Sequence, residues 1–107
     1  MGYFFCRLDP PRADFAMTTS EPERALMARH AAYLAGFAEN GRAVVYGPVL
    51  DPAGPWGLAI MTGADKAEIR AILDDDPTMR AEAGFRYAIL PMMQAVLGKS
   101  PPTIPTP

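Results

Sequence analysis

The stretch SEPERALMARHAAYLAGFAENG, Ser20 to Gly41, has the spacing of one amphipathic helix and carries the chain's only histidine. Ser20 and Glu23 form a capping-box pattern, in which the hydroxyl accepts an unpaired backbone N–H of the first turn and the carboxylate reaches back to the cap. Asn40-Gly41 closes the helix, because glycine enters the left-handed region at little steric cost. Leu26, His30, Tyr33, Leu34 and Phe37 fall on one face. His30 thus points inward and has two readings. It is either a core histidine bonded to a backbone carbonyl, or a general acid or base lining a pocket between helix and sheet, a role suited to a group titrating near neutral pH.

Around this helix, 107 residues make one domain with a core of its own. The net charge of −2 provides no basic excess for gripping phosphates, so no nucleic-acid partner is expected. Cys6, the single cysteine, cannot form an intrachain disulfide, and its apolar run reads as a buried structural thiol rather than a nucleophile. The first residues lack the charged start and long apolar segment of a signal peptide, and no run is long enough to span a membrane. A cytoplasmic protein without a membrane partner is the expectation.

Upstream of the helix, Gly2 to Leu8 (GYFFCRL) reads as a strand, which Pro10-Pro11 terminates by removing two ladder donors. The long connection Asp9 to Thr19 contains Arg12, Phe15 and Met17 and is expected to fold over something rather than extend into solvent. Downstream, Arg42 to Leu50 and Trp56 to Thr62 read as strands joined by the turn cluster Asp51-Pro52-Ala53-Gly54-Pro55. Gly47-Pro48 marks a bulge or an edge. Asp65 and Glu68 repeat the capping-box spacing before a second helix with Ile69, Ile72 and Leu73 on its apolar face. Asp74-Asp75-Asp76 then places three carboxylates where the helix dipole favours cations, a broken local rule of the sort found at functional sites. Thr78 to Ala83 allows a helical turn, and a last strand centres on Tyr87 to Met92. The chain divides into a domain over residues 1–97 and a proline-rich tail, residues 98–107, of extended polyproline type or without fixed structure.

The order strand, helix, strand, strand, helix, strand predicts an α+β, ferredoxin-like βαββαβ fold with an antiparallel four-stranded sheet. Two helices cover only one face of such a sheet. The strands are nonetheless apolar on both sides: Tyr3 and Phe5 oppose Phe4, Cys6 and Leu8, while Leu58 and Ile60 oppose Ala59 and Met61. The second face therefore needs a cover, most economically the same face of another copy, which predicts a homodimer packed sheet to sheet.

Several short motifs in this order resemble the YCII-related (YciI-like) family, whose members pair into a dimeric α/β barrel. They are Pro10-Pro11-Arg12 with Phe15, His30-x-x-Tyr33-Leu34, Gly41, Gly47-Pro48 running on to Trp56-Gly57, Asp76-Pro77, and Gly84-Phe85-Arg86-Tyr87 leading to Pro91. The resemblance runs from Tyr3 to about Val96. It implies an active site made of a histidine on the first helix and an aspartate after the second, here His30 and Asp76. Thr78 stands where an aromatic residue commonly follows the Asp-Pro pair, which predicts a smaller, more polar pocket wall.

A His-Asp dyad needs the carboxylate on one ring nitrogen and the other nitrogen facing substrate. Read without the resemblance, Asp76 is a solvated carboxylate opening an Asp-Pro turn; with it, Asp76 is the partner of His30. Arg12 and Arg86 are candidate anion anchors. Phe15, Tyr46, Pro48 and Trp56 are expected to wall the substrate site; the aromatic ones, with Met92-Met93, pack sheet and dimer interface rather than form a cofactor box. One histidine, a distant cysteine and consecutive aspartates make no metal site, and no glycine-rich phosphate loop is present, so neither metal nor cofactor is implied. With the resemblance, the expected function is small-molecule lyase or isomerase chemistry, a proton moved by the His30-Asp76 dyad in a cleft between helices and sheet. The alternative is a non-catalytic small-ligand-binding or accessory homodimer of the same fold.

Overall fold

Alternation along the first strand, β1 (Gly2–Asp9), turns Phe4, Cys6 and Leu8 to one side, where all three are buried. A computed structural model describes residues 1–99 of the chain. After β1 come a single helical turn α1 (Phe15–Thr18), the long helix α2 (Glu21–Glu39), the hairpin β2 (Ala43–Val49) and β3 (Trp56–Gly63), helix α3 (Lys66–Asp74), the turn α4 (Pro77–Arg80) and β4 (Arg86–Pro91). The sheet order is β2-β3-β1-β4 with every pair antiparallel, the ferredoxin-like α+β arrangement. Register sets the inner face: Cys6 lies opposite Ala59 and Ile89, and Phe4 opposite Met61. These side chains pack with Ile69 and Leu73 of α3 into one core cluster, while Leu8, Phe15, Leu26 and Phe85 form a second.

Local chemistry explains the helices. The Ser20 hydroxyl accepts the Glu23 N–H and the Glu23 carboxylate accepts the Ser20 N–H at 2.8 Å, a complete capping box. Asp65 caps α3 by accepting the Glu68 N–H at 2.9 Å. The reciprocal half expected there is not made, because the Glu68 carboxylate pairs with Arg42 and takes the Ala64 N–H instead. In the long connection, Phe15 is buried edge-on against Phe85, with ring centroids 5.3 Å apart, which folds α1 over one end of the sheet.

Of the two readings of Gly47-Pro48, a bulge or an edge, the edge holds, and the irregularity in β2 falls instead at Val44, between the paired residues Ala43 and Val45. Pro48 sits in register opposite Gly57 because β2 is an edge strand, where a missing N–H costs no ladder bond. The tail lies outside the described residues from residue 100 onward. On the outer face of the sheet, Phe5, Leu58 and Ile60 are only half-buried, and Val45 and Leu90 are more than half exposed. Among the described residues no helix is long and apolar enough to cross a membrane.

Candidate active site

Asp76 sits in the joint between two helices. Its N–H donates to the Leu73 carbonyl at the end of α3, and its carbonyl accepts the N–H groups of Met79 and Arg80 to start α4. Oδ1 caps α4 by accepting the Thr78 N–H at 2.9 Å, with Pro77 at the first helical position, which needs no N–H. The run of three aspartates is thereby resolved. Asp74 and Asp75 are exposed, Asp75 lying 3.3 Å from Arg80, whereas Asp76 serves the start of the following helix, where negative charge is favoured.

Helix α2 brings His30 to that joint. Tyr33, one turn further on, donates its hydroxyl at 2.7 Å to the Ile72 carbonyl in the last turn of α3 and so ties the two helices together. His30 Nδ1 then lies 2.8 Å from Asp76 Oδ2. The Asp76 side chain is wholly buried and that of His30 is 13% exposed. A third residue completes the site: the Tyr87 hydroxyl on β4 donates to the same Oδ2 at 2.6 Å. Tyr87 lies among the motifs of the chain, but its part here depends on β4 alternation, which turns it to the buried face with Phe85 and Ile89.

Electrostatics fix the proton positions. Burial pushes the Asp76 carboxyl up, but hydrogen bonds from His30, Tyr87 and the Thr78 N–H outweigh it and hold the group below the usual carboxylate range. Burial, followed by the bond to Asp76, pushes the Tyr87 hydroxyl up, so it remains a neutral donor. An ionised carboxylate only accepts, so Nδ1 of His30 carries the proton it shares with Asp76. Nε2 has no protein partner among the described residues and is not one of the buried unpaired atoms.

His30 lines a cavity of about 320 Å³ between α2 and the inner face of the sheet. Phe15, Tyr46, Pro48 and Trp56 line it too, with Tyr87 at the His30 end. Trp56 meets it at the rim: its indole stacks edge-on to Phe5, lies 4.2 Å below the Arg7 guanidinium and donates to Asp51. Arg12 and Arg86 lie elsewhere. Arg12 is clamped by both Glu23 oxygens at 2.8 Å and by Thr18, and Arg86 is exposed, in register with Asp9 on the outer face. Thr78 does not line the cavity; it is buried behind Asp76, so the more polar wall expected from it does not form. Cys6 is wholly buried, and burial pushes its thiol up to about 11, which leaves no thiolate for attack. Among the described residues no three potential metal-ligating His, Cys, Asp or Glu side chains converge.

Fold and site together define a small ferredoxin-like domain with a histidine-aspartate pair at the end of an apolar cavity. The family model named YCII-related domain matches residues 3–93, and the chain belongs to that family. No curated protein matches the chain.

Proposed function

We propose that the domain is a small-molecule enzyme of lyase or isomerase type, in which His30 takes up and returns a proton at Nε2 while Asp76 orients the ring. One observation carries this reading: Nδ1 is bound to a fully buried carboxylate, while the ring, whose Nε2 has no protein partner among the described residues, lines an apolar cavity. The bond to Asp76 selects the tautomer whose free nitrogen is basic, and the carboxylate stabilises the imidazolium formed when that nitrogen accepts a proton. Phe15, Tyr46 and Pro48 are the proposed wall of the substrate site. Incubation in D₂O with a panel of carbonyl compounds bearing an acidic C–H tests the step, with deuterium incorporation read by mass. Protein-dependent incorporation that falls at least a hundredfold in His30→Ala is expected. Incorporation unchanged in that variant overturns the proposal.

A second reading, a non-catalytic small-ligand-binding or accessory homodimer, draws support from the wall itself, since among the described residues no lysine or arginine lines the cavity to stabilise a developing negative charge. Both readings use the same dimer, packed through the apolar outer face of the sheet around Phe5, Val45, Leu58, Ile60 and Leu90.

A further inference from the structure

We infer that the cavity beside His30 selects an uncharged, mainly apolar molecule that presents one hydrogen-bond donor to Nε2, and that it rejects carboxylates and phosphates. The inference rests on the reading that this cavity is the functional site, and it adds the charge class of the occupant.

Charge balance is the first argument. Asp76 is buried behind His30 and Tyr87, which line the cavity, and among the described residues its carboxylate is bonded by His30, the Tyr87 hydroxyl and the Thr78 N–H. With the imidazole neutral, none of them cancels the charge. No lysine or arginine lines the cavity, and residues 100–107 contain neither. The two arginines nearest in purpose are committed elsewhere, Arg12 to Glu23 and Thr18, and Arg86 to the outer face. An anion seated on Nε2 would lie on the order of 7 Å from the Asp76 charge, across one imidazole ring, where repulsion in a partly buried site weakens binding tenfold or more, while a cation drawn to that charge would have to shed its hydration into an apolar wall that offers it one acceptor.

Hydrogen bonding is the second. A neutral imidazole protonated on Nδ1 offers only an acceptor at Nε2, so it pairs with an O–H or N–H and not with a second acceptor. The third argument is size and surface. Leu8, Phe15, Met27, Leu34 and Phe85 wall about 320 Å³, and an apolar cavity of about 150 Å³ suffices for a benzene ring. One or two fused rings with a single polar edge fill such a space.

Three probes of one shape separate the charge classes: 2-naphthol, 2-naphthoate and 2-naphthylmethylammonium. Binding to the full chain is measured at pH 8, above the ordinary imidazole range, by following the ring signals of the lone histidine. The expected result is that 2-naphthol shifts the His30 signals and binds at least tenfold tighter than 2-naphthoate. Asp76→Asn should narrow that gap, and Ala31→Asp, which adds a second negative charge at an exposed position on the wall, should widen it. Naphthoate binding as tightly as naphthol, the ammonium binding tightest, or none of the three shifting His30 would each overturn the inference. Catalysis is not needed for the readout. A chain that prefers naphthol but exchanges no proton refutes the enzymatic reading alone, and one that exchanges protons but prefers naphthoate refutes this inference alone.

Discussion

Tyr87 Oη and His30 Nδ1 meet on a single oxygen, Oδ2 of Asp76, at 2.6 and 2.8 Å. A strand at the sheet edge and the longest helix are thus joined through one buried carboxylate supplied by the turn between α3 and α4. Removing the tyrosine hydroxyl takes away a charge-assisted donor without opening a large cavity. Tyr87→Phe should cost about 1.5 to 3 kcal/mol in chemical denaturation, the range for hydrogen bonds to charged groups. A loss under 0.5 kcal/mol would mean that the carboxylate does not depend on it.

Asp76 itself should tolerate shape-preserving change better than deletion. Asp76→Ala leaves the His30 Nδ1–H, the Tyr87 O–H and the Thr78 N–H without their acceptor, and a loss of about 3 to 5 kcal/mol is expected in urea or guanidinium titrations. Asp76→Asn keeps an acceptor oxygen and should lose less. It should nevertheless depress proton exchange by about a hundredfold or more, since the amide can turn its N–H₂ toward the ring and reverse the tautomer.

Acid sensitivity follows from the same carboxylate. A folded-state value lowered below the unfolded one means that Asp76 contributes its stability fully above the usual carboxylate range and loses it as pH falls through the lower folded value. Glu23 acts in the same direction. The Arg12 hydrogen bond, then the Ser20 N–H, pulls it down to about 2. The midpoint of urea unfolding should therefore decline steadily between pH 5 and about pH 2, and less steeply in a variant carrying both Asp76→Asn and Glu23→Gln. Equal slopes in the variant and the parent would contradict the assignment.

Arg12 grips Glu23 with two parallel bonds and Thr18 with two more, which ties the start of α2 to the loop that carries Phe15. Lysine has no planar fork to reproduce this. Arg12→Lys should lower the thermal midpoint by a few degrees, as should Arg12→Ala, whereas Arg80→Lys, at an exposed pair with Asp75, should leave it nearly unchanged.

The outer sheet face gives a prediction on mass. Light scattering should find two copies per particle for the parent chain and one for Ile60→Asp, whose side chain belongs to the half-buried apolar row opposite Phe5. A monomeric parent would remove the dimer from both functional readings.

Much of the scaffold was legible because its signals are local. The capping box of α2, the Asn40-Gly41 stop and the period-two strands each follow from neighbouring residues. Asp65 looked the same at short range, yet only half of its box forms, because Arg42 from another part of the chain competes for Glu68. At Gly47-Pro48 the edge half of a two-way reading holds and the bulge half does not. Gly47-Pro48 is the conspicuous break, but Val44 carries the irregularity, and a valine bears no mark of it. At the site, the inward face of His30 followed from helix periodicity, while the misplaced acidic run marked the neighbourhood of Asp76 and the family resemblance picked that residue out of the three. Tyr87 and the clamp from Tyr33 to Ile72 escaped, since both are contacts between elements far apart in the chain.

The most direct test of the central claim is the long-range ¹H–¹⁵N correlation spectrum of the chain's one histidine at pH 8. The account requires a protonated Nδ1 with its proton held by Asp76 and an unprotonated Nε2 open to the cavity, a pattern weakened in Asp76→Ala. A spectrum with the proton on Nε2 in the parent chain would contradict it, because the nitrogen facing the cavity would then have no lone pair with which to take a proton.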